Sequence, residues 1–109
     1  MHELAITENI VDGVVERMGE ARIRSLQLEV GTLSGVVPEA VRFCFDLVAE
    51  GTTLEGARLD IDEPEGRALC ASCGTEFAPE GWTVLCACGS SDVELLSGTR
   101  LRIRSVEVA

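Results

Sequence analysis

The feature that most constrains this chain is residues 64–98, a segment with four of the five cysteines and only a handful of large apolar side chains. The segment shows no sustained periodicity, so it cannot offset its own conformational entropy without a cross-link. Cys70 and Cys73 form one pair, and Cys86 and Cys88 form a second. Paired cysteine turns joined by a short hairpin are typical of tetrahedral zinc sites, and zinc binding would contribute on the order of 10 kcal/mol to folding.

The second cysteine pair is irregular, because one residue separates Cys86 from Cys88 where two separate Cys70 from Cys73. Either the second turn must therefore be tighter than the first, or its two sulfurs must approach the metal differently. Four thiolates also suit a rubredoxin-like iron or an iron–sulfur site, so iron is an alternative metal. A catalytic zinc ion keeps an open coordination position, which four thiolates would close, and a redox dithiol needs a βαβ setting that the sequence lacks.

Two amphipathic helices are predicted before the cysteine segment. Apolar residues recur at helical spacing over residues 4–18, and Gly19 provides a stop. Pro38 suits the first turn of a second helix, which ends at Gly51. The fifth cysteine, Cys44, lies within this second apolar helix, so we expect it to be a small buried hydrophobic residue.

Three strands are predicted where apolar and polar side chains alternate, at residues 22–30, 59–62 and 100–108. Ile23 is out of phase with the rest of its strand, which indicates a bulge or an irregular start. In the third strand the apolar phase slips after Ser105. The arginines of the third strand are expected to lie near acidic residues of the second, on a solvated sheet face or, alternatively, a docking surface: Arg100, Arg102, Arg104, Asp60 and Asp62.

These elements predict an α+β fold with two helices packed on one face of a three-stranded sheet. Residues 1–66 and 98–109 would form this α+β domain. Residues 67–97 would be inserted into it as a zinc-ribbon-like four-cysteine module that forms a separate zinc-binding domain.

The composition excludes several classes of protein. A net charge of -10 would repel a phosphate backbone, so nucleic acid is not an expected partner, whereas a cation or a basic protein surface is. The chain has no apolar run near the roughly 20 residues of a membrane helix and no signal peptide, so no membrane association is expected. We therefore expect a cytoplasmic location, where thiols stay reduced and serve as metal ligands.

The chain begins Met1-His2-Glu3, and His2 is its single histidine. The α-amino group, the imidazole and one or two deprotonated backbone amides can form a planar set of nitrogen ligands. Such a set favours Ni(II) and Cu(II). The alternative is a frayed, solvated chain end.

Several segments in the same order resemble one known family: Met1-His2-Glu3-Leu4, residues 31–40, Phe43–Val48, the cysteine module with Cys88-Gly89-Ser90, and the last strand, Leu101–Val108. Together they resemble the HypA (HybF) nickel-insertion proteins of [NiFe]-hydrogenase maturation. The Met-His-Glu start combined with the cysteine module is specific to that family, whereas neither feature is specific alone.

The resemblance implies a nickel metallochaperone and not an enzyme. Ni(II) would be transferable cargo, held by the His2 imidazole and the backbone nitrogens of Met1, His2 and Glu3. The cysteines would hold a structural Zn(II). The implied partners are the nickel-insertion GTPase of hydrogenase maturation and the [NiFe]-hydrogenase large subunit, with urease a client in some organisms. The chain would act as a monomer or a homodimer.

This sequence departs from the family in two places. The family's second cysteine pair is usually Cys-x-x-Cys, and some members place an aspartate near the start of the second helix, where only Glu39 offers a carboxylate here. Two other functions are compatible with the residues. A zinc-ribbon adaptor for protein interactions would hold no transferable metal, and a thiol–disulfide enzyme would need a metal-free cysteine with a low pKa.

Overall fold

The computed structural model describes residues 2–79 and 84–109 of the chain. Over this part it has two helices and six strands, which form two separate three-stranded sheets. In chain order the elements are α1 Glu3–Met18, β1 Ile23–Val30, α2 Pro38–Ala49, β2 Arg58–Asp62, β3 Arg67–Cys70, β4 Glu76–Phe77, β5 Val93–Ser97 and β6 Leu101–Val108.

The larger sheet has the strand order β2-β1-β6. β1 lies in the middle, parallel to β2 and antiparallel to β6. Parallel neighbours need a crossover connection, and α2 supplies it between β1 and β2. Side chains from α1, α2, β1 and the loop before β2 form one buried core: Val11, Val14, Ile23, Leu26, Leu28, Val30, Val41, Phe45, Ala49 and Leu54. The predicted packing of two helices on one face of a three-stranded sheet is confirmed.

The predicted irregularities of the first and last strands of this sheet, β1 and β6, are confirmed as bulges. The β1–β6 register shifts between Ile23 and Ser25, so β1 has an extra residue where the sequence placed Ile23 out of phase. A second shift pairs Leu28 with Ile103 and Gln27 with Ser105, so the extra residue there is Arg104 of β6. This second bulge explains why the apolar phase of the last strand slips after Ser105.

The arginines of β6 behave partly as predicted. The guanidinium of Arg104 lies 2.7 Å from the carboxylate of Asp62, as the sequence indicated. Arg102 pairs with Glu29 of β1 at 3.3 Å instead of with β2, because β1 separates β6 from β2. Arg58, on β2 itself, is the partner of Asp60.

Both side chains of the Arg104–Asp62 pair are about half exposed, so this pair should contribute little to stability. We expect Arg104→Ala to lower the free energy of unfolding by no more than about 1 kcal/mol, the usual ceiling for an exposed pair. By contrast, truncating the fully buried Leu26 to alanine should cost about 2–5 kcal/mol. Urea denaturation of both variants tests the ranking, and an Arg104→Ala cost equal to that of Leu26→Ala would contradict it.

The smaller sheet has the order β4-β3-β5, and all its pairings are antiparallel. None of its three strands was predicted, because they are only two to five residues long and show no clear alternation. The described chain measures 53 × 23 × 18 Å, so it is elongated. The division into two domains at residues 67 and 97 stays a prediction.

The loop after β1 meets the two segments that connect the larger sheet to the smaller one. At Gly31, Gly66 and Gly98 the backbones of these three segments are in direct contact. A Cβ at Gly31 would collide with the backbone of Gly98, and a Cβ at Gly98 would lie 2.5 Å from the Cα of Gly66. The loop after β1 hydrogen-bonds to both connecting segments: the N–H of Leu33 donates to the carbonyl of Gly98 at 2.8 Å, and the N–H of Gly66 donates to the hydroxyl of Thr32 at 2.8 Å. We call Gly31, Gly66 and Gly98 the glycine junction.

Candidate metal centre

The smaller sheet brings the four predicted cysteines together. The Sγ atoms of Cys70, Cys73, Cys86 and Cys88 all lie within 4.8 Å of one another. The Cys73–Cys86 sulfur distance is 3.5 Å and the Cys70–Cys88 distance is 3.7 Å. A Zn–S bond of about 2.3 Å implies about 3.8 Å between the sulfurs of a regular tetrahedron. The four cysteines therefore form a closed group whose size fits a structural zinc ion.

The first cysteine turn begins as β3 ends. The N–H of Gly74 donates to the carbonyl of Cys70 at 2.8 Å, and the N–H of Cys70 donates to the carbonyl of Thr75 at 2.9 Å. Gly74 has a φ of 74°, a conformation that glycine adopts without strain. The turn therefore reverses the chain within a few residues and directs both thiols of the pair to one side.

The second cysteine turn is tighter, as its shorter spacing predicted. The N–H of Gly89 donates to the carbonyl of Cys86 at 2.8 Å, which closes a four-residue turn around Ala87. Gly89 has a φ of 92°. Cys86 approaches Cys73 and Cys88 approaches Cys70, so the missing residue does not prevent convergence.

The two turns also contact each other outside the sulfur cluster. The hydroxyls of Ser72 and Ser90 are 2.8 Å apart, and the N–H of Ala71 donates to the carbonyl of Asp92 at 2.9 Å. These contacts fix one turn against the other. The sequence analysis assigned no contact to either serine, because an exposed serine in a turn has no distinctive signal.

The thiols differ in acidity. The side-chain hydrogen bond between Cys73 and the Thr75 hydroxyl, together with the backbone N–H of Thr75, lowers the pKa of Cys73 to about 6. The backbone N–H groups of Cys73 and Ser72 lower the pKa of Cys70 against the opposing effect of burial. At Cys86 the backbone N–H of Cys88 lowers the pKa, but burial and the neighbouring thiols outweigh it and raise the pKa to about 12. A divalent cation at the centre would favour the thiolate at all four positions.

The amino-terminal end is anchored to α2 through Glu3. The Glu3 carboxylate accepts a hydrogen bond from the backbone N–H of Val37 at 3.2 Å, immediately before α2. The positive amino group of the chain and this N–H lower the pKa of Glu3 to about 2. Glu3 is only 7 % exposed, whereas His2 beside it is exposed. Met1, whose backbone nitrogen was predicted to join the nickel ligands, lies outside the described residues.

The remaining candidate residues lie on α2. Glu39 is exposed in its first turn. Cys44 is only partly buried, so the prediction that it is a buried residue is wrong. The reason is that Val41, Phe45 and Ala49 occupy the core-facing stripe of α2 and Cys44 lies beside it. Among the described residues, Cys44 is not part of the metal-binding group.

Comparison with known proteins supplies the family. The family model for HypA, described as hydrogenase/urease nickel incorporation, metallochaperone, matches residues 1–108. The chain belongs to the HypA family. It is 47% identical over 108 residues to the hydrogenase maturation factor HypA of Trichormus variabilis, a match that covers 99% of this chain and 96% of that protein. It is 44% identical over 109 residues to the HypA of Geobacter metallireducens, covering 99% of each chain.

A solved structure of the same family has the same fold. The solution structure of the Ni metallochaperone HypA from Helicobacter pylori matches with a TM-score of 0.67 at 23% identity, over 99% of this chain and 97% of that one. The family model and the sequence relatives confirm the resemblance to the HypA family inferred from sequence, and this structure agrees in fold. Within the part of this HypA chain that the structure describes, no helix combines the length and the hydropathy needed to cross a membrane.

Proposed function

We propose that this chain binds Ni(II) at its amino terminus and delivers it for the maturation of a [NiFe]-hydrogenase, while Cys70, Cys73, Cys86 and Cys88 hold a structural zinc ion. The observation that carries the proposal is the match of residues 1–108 to a family described as a nickel-incorporating metallochaperone. A metallochaperone transfers an ion and turns over no substrate. We place the protein in the cytoplasm, where its thiols stay reduced.

The geometry of the first helical turn supports a nitrogen site for nickel. The first N–H groups of a helix have no acceptor within the helix. Because α1 begins at Glu3, the amide nitrogens of His2 and Glu3 can lose their protons to a metal ion without breaking a helical hydrogen bond. The exposed His2 imidazole and the amino group of Met1 would complete a planar nitrogen set suited to Ni(II).

The contact of Glu3 with Val37 supports a structural role for Glu3, separate from the nitrogens that would bind nickel. Its carboxylate is bound to the N–H of Val37, so it holds the start of α1 against α2. The cargo would then be held by nitrogens at a fixed place on the protein surface, where reprotonation of the amides allows it to leave. The closed four-thiolate group lacks an open position for transfer, which favours a structural role.

The charge of the chain supports the proposed partners. With a net charge of -10 the chain attracts a cation and favours a basic partner surface. We propose the nickel-insertion GTPase of hydrogenase maturation and the hydrogenase large subunit as successive partners. The family description also includes urease, and we propose urease as the alternative client of the same delivery reaction.

The decisive experiment is nickel titration of the untagged, zinc-loaded protein, with total metal measured by elemental analysis. We expect one Ni(II) in addition to one Zn(II) per chain. His2→Ala, and separately a two-residue extension before Met1, should abolish nickel uptake and leave zinc in place, because each removes nitrogen ligands from the terminal set. Glu8→Ala, an exposed change on the same helix, is the matched control and should bind nickel normally.

Two outcomes would overturn the proposal. Nickel uptake that survives both terminal changes would place the nickel elsewhere. Zinc alone in the native protein, with His2 dispensable for hydrogenase activity in cells, would favour a zinc-ribbon adaptor without transferable metal.

A further inference from the structure

The four cysteines of the metal centre are not equally accessible. Cys70 is fully buried and Cys86 is 6% exposed, whereas Cys73 and Cys88 are exposed. Each cysteine turn therefore contributes one inner and one outer thiol. A reagent in solution reaches the outer thiols first, so covalent chemistry at the sulfurs begins at Cys73 or at Cys88.

The outer thiol of the first turn is hydrogen-bonded to Thr75. The Sγ of Cys73 lies 3.3 Å from the Oγ1 of Thr75. A sulfur bound to a metal ion is a thiolate and has no proton, so in the loaded centre the hydroxyl must be the donor. The backbone of Thr75 is also fixed, because its carbonyl accepts a hydrogen bond from the N–H of Cys70 at 2.9 Å. The hydroxyl is therefore held beside the Cys73 sulfur.

The outer thiol of the second turn has no such hydroxyl. The Sγ of Cys88 lies 3.7 Å from the Sγ of Cys70, and no hydroxyl group of residues 2–79 and 84–109 hydrogen-bonds to it. The hydroxyl of Ser90 is bonded to that of Ser72 instead, at 2.8 Å. A Cβ at the adjacent Gly89 would meet nothing within 4 Å, so the chain beside Cys88 borders open space. The Cys88 sulfur is therefore the more open of the two.

We propose that Cys88 is the ligand of the metal centre that hydrogen peroxide oxidises first, that Cys70 then forms a disulfide with it, and that Thr75 keeps Cys73 out of the reaction. This inference rests on the proposed structural zinc ion. Because the ion deprotonates all four sulfurs, they differ only in access and in nucleophilicity. A thiolate that accepts a hydrogen bond is the weaker nucleophile, because the donor stabilises the electron pair that must attack.

The reaction balances with peroxide as the only oxidant. The Cys88 thiolate attacks one peroxide oxygen, so an S–O bond forms, the O–O bond breaks and hydroxide leaves with the electron pair. The Cys70 thiolate then attacks the sulfenic sulfur of Cys88, so the S–S bond forms, the S–O bond breaks and a second hydroxide leaves. Two thiolates have lost two electrons in total. Two protons from solvent convert the two hydroxide ions to water.

The geometry selects Cys70 as the second sulfur. The closest sulfur contacts pair Cys70 with Cys88 at 3.7 Å and Cys73 with Cys86 at 3.5 Å, so each pair joins the two turns. A disulfide in the first pair leaves the ion only the two thiolates of the second pair. Zinc should then be released, and the smaller sheet should lose the stabilisation that zinc binding gives it.

Alkylation by limiting iodoacetamide tests which sulfur reacts first. The zinc-loaded full chain carries Cys44→Ser, which removes the thiol outside the centre, and its zinc content is measured beforehand by elemental analysis. We expect peptide mass spectrometry to find the label on Cys88 before Cys73. Thr75→Val keeps the branched shape without the hydroxyl. It should raise the Cys73 labelling rate about three- to tenfold, the factor that one ordinary hydrogen bond is worth. Thr75→Ser should keep the native rates, as should the matched control Thr99→Val, an exposed threonine outside the metal centre.

Hydrogen peroxide tests the disulfide itself. One equivalent added to the same zinc-loaded Cys44→Ser chain should release zinc to a chromogenic chelator. After the remaining thiols are blocked, peptide mapping should find Cys70 linked to Cys88. In the Thr75→Val variant a second disulfide, between Cys73 and Cys86, should appear alongside the first, because both outer thiolates then react.

Three outcomes would overturn this proposal while leaving the zinc site intact. They are labelling of Cys73 before Cys88, an unchanged Cys73 rate in Thr75→Val, and a Cys73–Cys86 disulfide that forms first in the chain with native Thr75. A chain that holds no zinc at the outset would overturn the structural zinc site, and this inference with it.

Discussion

Replacing Cys88 by serine will remove the tightly held metal ion and unfold the smaller sheet, while the larger sheet and its helices stay folded. Cys88 is exposed, so the change leaves no cavity in a core. Its effect must come from the loss of one thiolate from a group whose sulfurs lie within 4.8 Å of one another. Metal affinity should fall by more than about 100-fold, which exceeds the usual effect of losing a partner outside the ligand set.

The unfolding of the smaller sheet follows from its small core. Its strands have two to five residues, and the metal ion supplies a folding free energy on the order of 10 kcal/mol. Hydrogen exchange should therefore show the amides of β3 and β5 losing protection while those of β1 keep it. Cys44→Ser is the matched control and should retain both metal and protection. Full metal content in Cys88→Ser would contradict the four-thiolate site.

Gly98→Ala should destabilise the protein by about 2–5 kcal/mol, the sum of two separate costs. Gly98 has a φ of 78°, where an L-residue pays about 1–2 kcal/mol. Its new Cβ would also lie 2.5 Å from the Cα of Gly66, and backbone cannot move aside as a flexible side chain can. Overpacking of this kind costs about 1–3 kcal/mol. Urea denaturation followed by helical circular dichroism measures the total.

Two other glycines separate these costs. Gly35 has a φ of 81° with nothing within 4 Å of its Cβ position, so Gly35→Ala should show the conformational cost alone. A Cβ at Gly31 would strike the carbonyl of Gly98, and the φ of Gly31 is not positive, so Gly31→Ala should show the collision alone. If Gly98→Ala cost no more than Gly35→Ala, the close packing at the glycine junction would be refuted.

Much of the larger sheet and both helices could be predicted from periodicity because one face of each element is buried. Burial on one face makes side-chain alternation visible, and it also makes a bulge visible as a phase error, as at Ile23. The cysteine group was predictable for a different reason. Metal binding requires specific residue types, so the ligands stand out even where the segment has no periodicity.

The rest depended on contacts that sequence does not encode locally. The strands of the smaller sheet are too short to show a period. Metal binding, and not burial of an apolar face, would stabilise them, so their sequences need no alternation. Arg102 pairs with Glu29 because the β1–β6 register places them opposite each other, and a pattern of charges cannot supply that register. Glu3 read as an ordinary acidic residue in a first helical turn, and only its contact with Val37 shows that it fastens two helices together.

The loop between β1 and α2 is a shared support for both ends of the molecule. Near its start, Leu33 and Thr32 hydrogen-bond to Gly98 and Gly66 of the glycine junction. At its end, the N–H of Val37 donates to the carboxylate of Glu3 at the start of α1. The loop of residues 31–37 therefore contacts both the glycine junction and the start of α1. Suppose that Ni(II) bound at the amino terminus favours one conformation of this loop, and that this conformation sets the orientation of the smaller sheet. That orientation must then change the nickel affinity by the same coupling free energy.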